Sequence, residues 1–168
     1  DPGDVNGDGN WNVLDIVTLA NCVLAENCED GDGCAADMNA DGNWNVLDIV
    51  TLANCVLAEN CNGRLDDASE SKLIKRDNHL YIEADGFIGG VQMTLRHGDD
   101  FAIDMTDNAL FADYLTDGNE TRLLVITPTT DELFSFSGEF ETVDFIVANS
   151  HQEVPSELPM TSSFSLSQ

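Results

Sequence analysis

The chain has 168 residues, 42% of them hydrophobic, and sets 32 Asp and Glu against six Lys and Arg for a net charge of -26. That apolar content supports a packed core and excludes wholesale disorder. The charge excludes nucleic acid and anionic membranes as partners, favours cations, and no stretch approaches the ~20 apolar residues needed for membrane insertion.

In chain order, the first signal is a duplication. The 21 residues DGNWNVLDIVTLANCVLAENC run from Asp8 to Cys28 and recur unchanged from Asp41 to Cys61. Residues 1–63 contain twelve Asp and Glu and no Lys or Arg. Upstream residues complete each copy to DVNGDGNWNVLD from Asp4 and DMNADGNWNVLD from Asp37. Oxygen-bearing side chains stand at loop positions 1, 3, 5, 9 and 12, with Gly at 6. A hard cation takes about six to eight oxygens, and a tightly wound loop supplies them at alternate positions.

The expected donors in the first loop are Asp4, Asn6, Asp8, Asn10 through its carbonyl, Asn12 and Asp15. Those in the second are Asp37, Asn39, Asp41, Asn43, Asn45 and Asp48. Gly9 and Gly42 supply the positive φ of the turn. Two calcium ions, one per loop, are therefore expected. After each loop, VLDIVTLANCVLA places Ile16, Val17, Ala20, Val23 and Leu24 at helical spacing, and Ile49, Val50, Ala53, Val56 and Leu57 repeat it.

Five cysteines lie in this region. Cys22 shares a helix face with Asp15 and Thr18, away from the apolar stripe, and Cys55 does the same with Asp48 and Thr51. Each is followed six residues later by another, which suggests local disulfides Cys22–Cys28 and Cys55–Cys61, with Cys34 left over. A module of this size has a thin core and gains from such staples. Zinc is the weaker alternative, because neither a C-x-x-C nor a nearby His accompanies these cysteines.

Two units of loop plus one helix, about 33 residues apart, resemble a type I dockerin over residues 1–62. The resemblance implies calcium-dependent binding of a cohesin-type protein domain, with two near-identical units able to present one face twice. It also implies partner contacts at loop positions 10 and 11. Here these are Val13-Leu14 and Val46-Leu47, which contact a partner or pack in the core.

NGRLDDASESK opens a polar stretch, and residues 63–72 are expected to form a linker. From Leu73 onward, HLYIEA, GFIGGVQMTL, TRLLVIT and FETVDFIV are short strand-like runs. Val91, Met93 and Leu95 alternate with Gln92, Thr94 and Arg96, and TDGNET reads as a hairpin turn. Seven to nine strands in an antiparallel β-sandwich are expected over residues 73–152. GFIGGVQMTLRHGDDFAI, NETRLLVIT and GEFETVDFIV resemble the strand order of cohesin-type and Ig-like sandwiches.

The fold class is thus α+β in two domains. Residues 153–168 are expected to be an extended tail with an edge-strand candidate, SFSLS. FSLSQ resembles the lead-in to the sorting domain of proteins exported by the type IX secretion system, which implies a secreted or cell-surface protein. His79, His97 and His151 are scattered, and no Ser stands in a G-x-S-x-G context, so no enzyme is expected. Asn119-Glu120-Thr121 is a formal glycosylation sequon.

Pairing a dockerin-like half with a cohesin-like half implies an adhesive or structural protein that assembles with itself, head to tail, into a filament. The short linker is expected to disfavour docking within one chain. The alternative is a monomeric, non-catalytic binding module attached to a separate cohesin or a glycan.

Overall fold

The computed structural model describes residues 9, 12–25, 44–57, 66–150 and 152–161, with side chains of 55–57 and 157–161 excepted. Helix α1 spans Val13–Ala25 and α2 spans Val46–Leu57. Nine strands follow: β1 Ser71–Arg76, β2 His79–Ala84, β3 Gly90–His97, β4 Ala102–Met105, β5 Ala109–Asp117, β6 Glu120–Pro128, β7 Glu132–Ser137, β8 Phe140–Ala148 and β9 Ser156–Thr161. They form a five-stranded sheet in the order β4-β7-β2-β1-β9 and a four-stranded sheet in the order β5-β6-β3-β8. This is the expected α+β architecture, but β9 pairs with β1 in parallel, and β1 and β9 both reach outside residues 73–152.

Turn chemistry sets the hairpins. Asp77 and Asn78 both take positive φ, 53° and 66°, the type I′ pattern that matches strand twist between β1 and β2. Gly118, at φ 65°, takes the first central position of the two-residue turn between β5 and β6. The interior of the sandwich follows from period-two alternation. Leu73, Leu80 and Phe134 of one sheet meet Val91, Met93, Leu95, Leu123, Val125 and Val147 of the other, all fully buried.

The second face of the four-stranded sheet is also dry. Leu124, Ile126 and Ala148 join Ile16, Leu19, Ala20, Val23 and Leu24 of α1 and Val46, Ile49, Val50, Leu52 and Ala53 of α2 in one cluster. This explains the unbroken apolar run of β6: a strand covered on both faces needs no polar alternation. The helical module therefore docks on the sandwich of its own chain, contrary to the expectation drawn from linker length.

The tether gives a reason. Ala68 donates its N–H to the Phe87 carbonyl, and Asn149 Nδ2 donates to the Ala68 carbonyl, so the end of the polar stretch is tied to the sandwich. Nine residue steps separate Leu57 from Asp66. They reach up to about 30 Å when extended, enough for docking in cis.

Candidate functional site: the helix ends and the sheet they cover

Both helices start the same way. Asn12 Oδ1 accepts the Leu14 N–H at 2.9 Å, and Asp15 Oδ2 accepts the Asn12 N–H at 3.0 Å. Asn45 Oδ1 accepts the Leu47 N–H at 2.9 Å, and Asp48 Oδ2 accepts the Asn45 N–H at 3.0 Å. Each Asn–Asp pair is a reciprocal capping box, which satisfies donors that a helix start leaves open. Loop positions 9 and 12 thus hold the start of each helix. Gly9 has φ 85°, as the turn at loop position 6 requires.

Asp15 and Asp48 are fully buried. A carboxylate taken out of water needs charge or hydrogen-bond compensation, and each of these accepts the N–H of the Asn three residues before it. An all-oxygen donor set built around a buried carboxylate fits calcium. Asn12, Asp15, Asn45 and Asp48 would hold the ions from the helix side. Asp4, Asn6, Asp8, Asn10, Asp37, Asn39, Asp41 and Asn43 lie outside the described residues, as do Gly42, Cys28, Cys34, Cys61, His151 and the SFSLS segment. Cys22 is disulfide-bonded and half-buried against the helical cluster, and its partner sulfur is outside the described side chains.

The opposite polarity of the two helices shapes the docking contact. The Arg122 guanidinium on β6 donates from Nε and Nη2 to the Leu24 carbonyl, at 3.0 and 2.7 Å. Leu24 lies in the last turn of α1, where carbonyls lack helical partners and the dipole favours a cation. On β3, Gln92 Oε1 accepts the Val46 N–H, the first of α2, at 2.9 Å. Thr94 pairs with Arg122 and Gln92 with Leu124, so the two capping side chains are diagonal neighbours on one sheet face. The C-terminal end of α1 and the N-terminal start of α2 therefore meet over the same patch.

Close approach there depends on glycine. A Cβ at Gly90 would sit 2.7 Å from Val46 Cγ2 and 2.9 Å from Val50 Cγ1. The two partner-contact pairs consequently diverge. Val46 is fully buried and Leu47 is half-buried against the cluster, whereas Val13 and Leu14 are 41% and 57% exposed.

The remaining polar groups of note have structural partners. His79 Nδ1 lies 2.5 Å from Glu132 Oε2, and His97 Nε2 lies 2.7 Å from Thr121 Oγ1. Thr121 is fully buried and Asn119 Nδ2 donates to the His97 carbonyl, so the sequon residues pin the hairpin. Arg122, Gln92 and Gly90 were not legible as docking residues from the sequence. The available signal was a lone basic residue opening an otherwise apolar strand, TRLLVIT.

Residues 2–57 match the dockerin type I domain family. Over that third of the chain it is similar to a family of calcium-binding, non-catalytic, protein-joining modules that occur in extracellular and cell-surface proteins. A non-cellulosomal cohesin from the hyperthermophilic archaeon Archaeoglobus fulgidus superposes at TM-score 0.36 and 8% identity, over 55% of this chain and 86% of that one. No curated protein matches the chain. Among the described residues, no helix is long and apolar enough to cross a membrane.

Proposed function

We propose that this is a calcium-dependent structural protein of the cell surface or extracellular space, in which the dockerin module and the β-sandwich are a complementary pair. The observation that carries this reading is the shared apolar core between both helices and the β5-β6-β3-β8 sheet, capped by Arg122 and Gln92. Closed within one chain, the contact gives a latched monomer. Exchanged between chains, the same contact is heterologous, and a heterologous contact whose rotation does not close extends head to tail. Two calcium ions, held by the Asp4–Asp15 and Asp37–Asp48 loops, maintain the module in either state.

A short tether gives the cis contact an effective concentration on the order of millimolar. Exchange therefore requires crowding or a cycle of calcium removal and return. The closed contact also favours a second reading, a monomeric binding module for a separate cohesin or a glycan. Sedimentation velocity at rising protein concentration, before and after such a cycle, separates the two. Oligomers that form on calcium return, and that fail to form in a chain lacking residues 1–62, support self-assembly. A monomer at every concentration overturns it.

A further inference from the structure

The two sheets are covered unequally. Both helices lie on the outer face of the β5-β6-β3-β8 sheet. Among the described residues, the outer face of the β4-β7-β2-β1-β9 sheet is left to solvent. Leu73, Leu80 and Ile82 point into the sandwich core. Period-two alternation therefore turns Lys72, Ile74 and Arg76 of β1 and His79, Tyr81 and Glu83 of β2 outward. Strand register sets them in three rungs: Lys72 beside Glu83, Ile74 beside Tyr81, and Arg76 beside His79. Lys72 Nζ lies 3.8 Å from Glu83 Oε1, and their side chains are 45% and 53% exposed. The Arg76 guanidinium lies 5.2 Å from the Tyr81 ring centre, and His79 Nδ1 meets Glu132 Oε2 of β7. Bases thus stand on β1, acids on β2 and β7, and the apolar pair Ile74 and Tyr81 between them.

Charge decides what can meet this face. With 32 acidic residues against six basic ones, two copies of the chain repel over most of their surfaces. Arg122 is held by the Leu24 carbonyl, Arg96 lies between Glu120 and Glu141, and Lys75 sits over the Phe140 ring. Lys72 and Arg76 stand together on one open face, where that repulsion is least.

We infer that the outer face of the five-stranded sheet binds a second copy of this chain, face to face, in a closed dimer. A twofold axis along the strands, between β1 and β2, lays β1 of each copy over β2 of the other. The rungs then match. Lys72 faces the second copy's Glu83, Ile74 faces its Tyr81, and both contacts are returned by symmetry. Arg76 faces the second copy's His79, backed by Glu132. Five strands about 4.8 Å apart and about six residues long present roughly 480 Å² per copy, about 960 Å² for the pair. Specific interfaces usually bury about 1,200 Å² or more, so this dimer is weak and reversible. The contact is isologous and stops at two copies. It lies on the side of the sandwich away from the helices, goes beyond the module–sheet reading and leaves the module docked.

The test is sedimentation equilibrium of the full-length chain in calcium at physiological salt, before any chelation. Rising concentration should populate a dimer and no larger species. Lys72→Glu and Glu83→Lys should each weaken it roughly tenfold or more, because each sets like charges opposite one another. Glu83→Lys also lowers the net negative charge, so general repulsion between copies predicts the opposite. Mixed one to one, the two variants should dimerise again. In the mixture every Lys72–Glu83 rung between copies is oppositely charged, while the pair within each copy is not. Recovery there cannot come from repaired folding.

A dimer indifferent to both substitutions, or a mixture that stays monomeric, overturns the proposal. Oligomers that appear only after a calcium cycle overturn it and leave the exchange reading standing. A dimer that is present before the cycle and does not grow after it supports the proposal and counts against exchange.

Discussion

Arg122 and Leu24 are 98 positions apart, yet the guanidinium of the first caps the helix that the second helps to end, at 2.7 Å. The pair joins the module to the sandwich through the one kind of group a helix C-terminus lacks, a cationic donor. Arg122→Met keeps the aliphatic stem and removes both hydrogen bonds. It should cost about 1.5–3 kcal/mol, the range for hydrogen bonds to a charged group. Both tryptophans, Trp11 and Trp44, lie in the module, so denaturation followed by tryptophan fluorescence reads the loss there. An unchanged midpoint would show that the apolar cluster alone secures the contact.

Gly90→Val places branched carbon where Val46 and Val50 already lie. Overpacking of this kind costs about 1–3 kcal/mol. The module should lift while the sandwich keeps its strands, since the added atoms face outward. Small-angle scattering should show expansion at unchanged β-sheet circular dichroism. Expansion in Gly90→Ala and not in Gly90→Val would contradict the steric account.

Native mass spectrometry should find two calcium ions, and Asp8→Ala and Asp41→Ala should each remove one. Chelation should expose Leu124, Ile126 and Ala148, which the helices now cover. Binding of an apolar dye should rise on chelation and fall when calcium returns.

Non-reducing peptide mapping should recover Cys22 linked to Cys28 and Cys55 linked to Cys61. A Cys22–Cys55 peptide would reject the local pairing. Reduction should lower module stability by about 2–4 kcal/mol, the usual contribution of a disulfide.

Asp85 accepts the Ser69 hydroxyl at 2.5 Å and the Ser69 and Glu70 amides, and these bonds, the hydroxyl first, hold its carboxyl below the usual range. A folded-state value below the unfolded one contributes stability above the ordinary carboxylate range near 4, and that stability is lost as pH falls through the lowered value. NMR titration of Asp85 should give a midpoint below the ordinary Asp value, and Ser69→Ala should raise it. A midpoint that ignores Ser69→Ala would remove the hydroxyl as cause.

The two helices and most of the strands were legible from sequence because each is a local pattern. Ligand spacing, a glycine at one turn and helical or period-two alternation act within a dozen residues. Asn12, Asp15, Asn45 and Asp48 could be read as donors, though their second role as caps needed the helix start in place. Burial was different in kind. Val13 and Val46 have identical neighbours in the chain, yet one is 41% exposed and the other fully buried. No local rule distinguishes them, because burial is decided by what lies opposite, and only the fold sets α2 over Gly90. TRLLVIT read as a strand, and nothing in the run named what covers its second face. Tertiary structure supplied it, by bringing the ends of two helices to Arg122 and Gln92, where unsatisfied backbone groups found their partners.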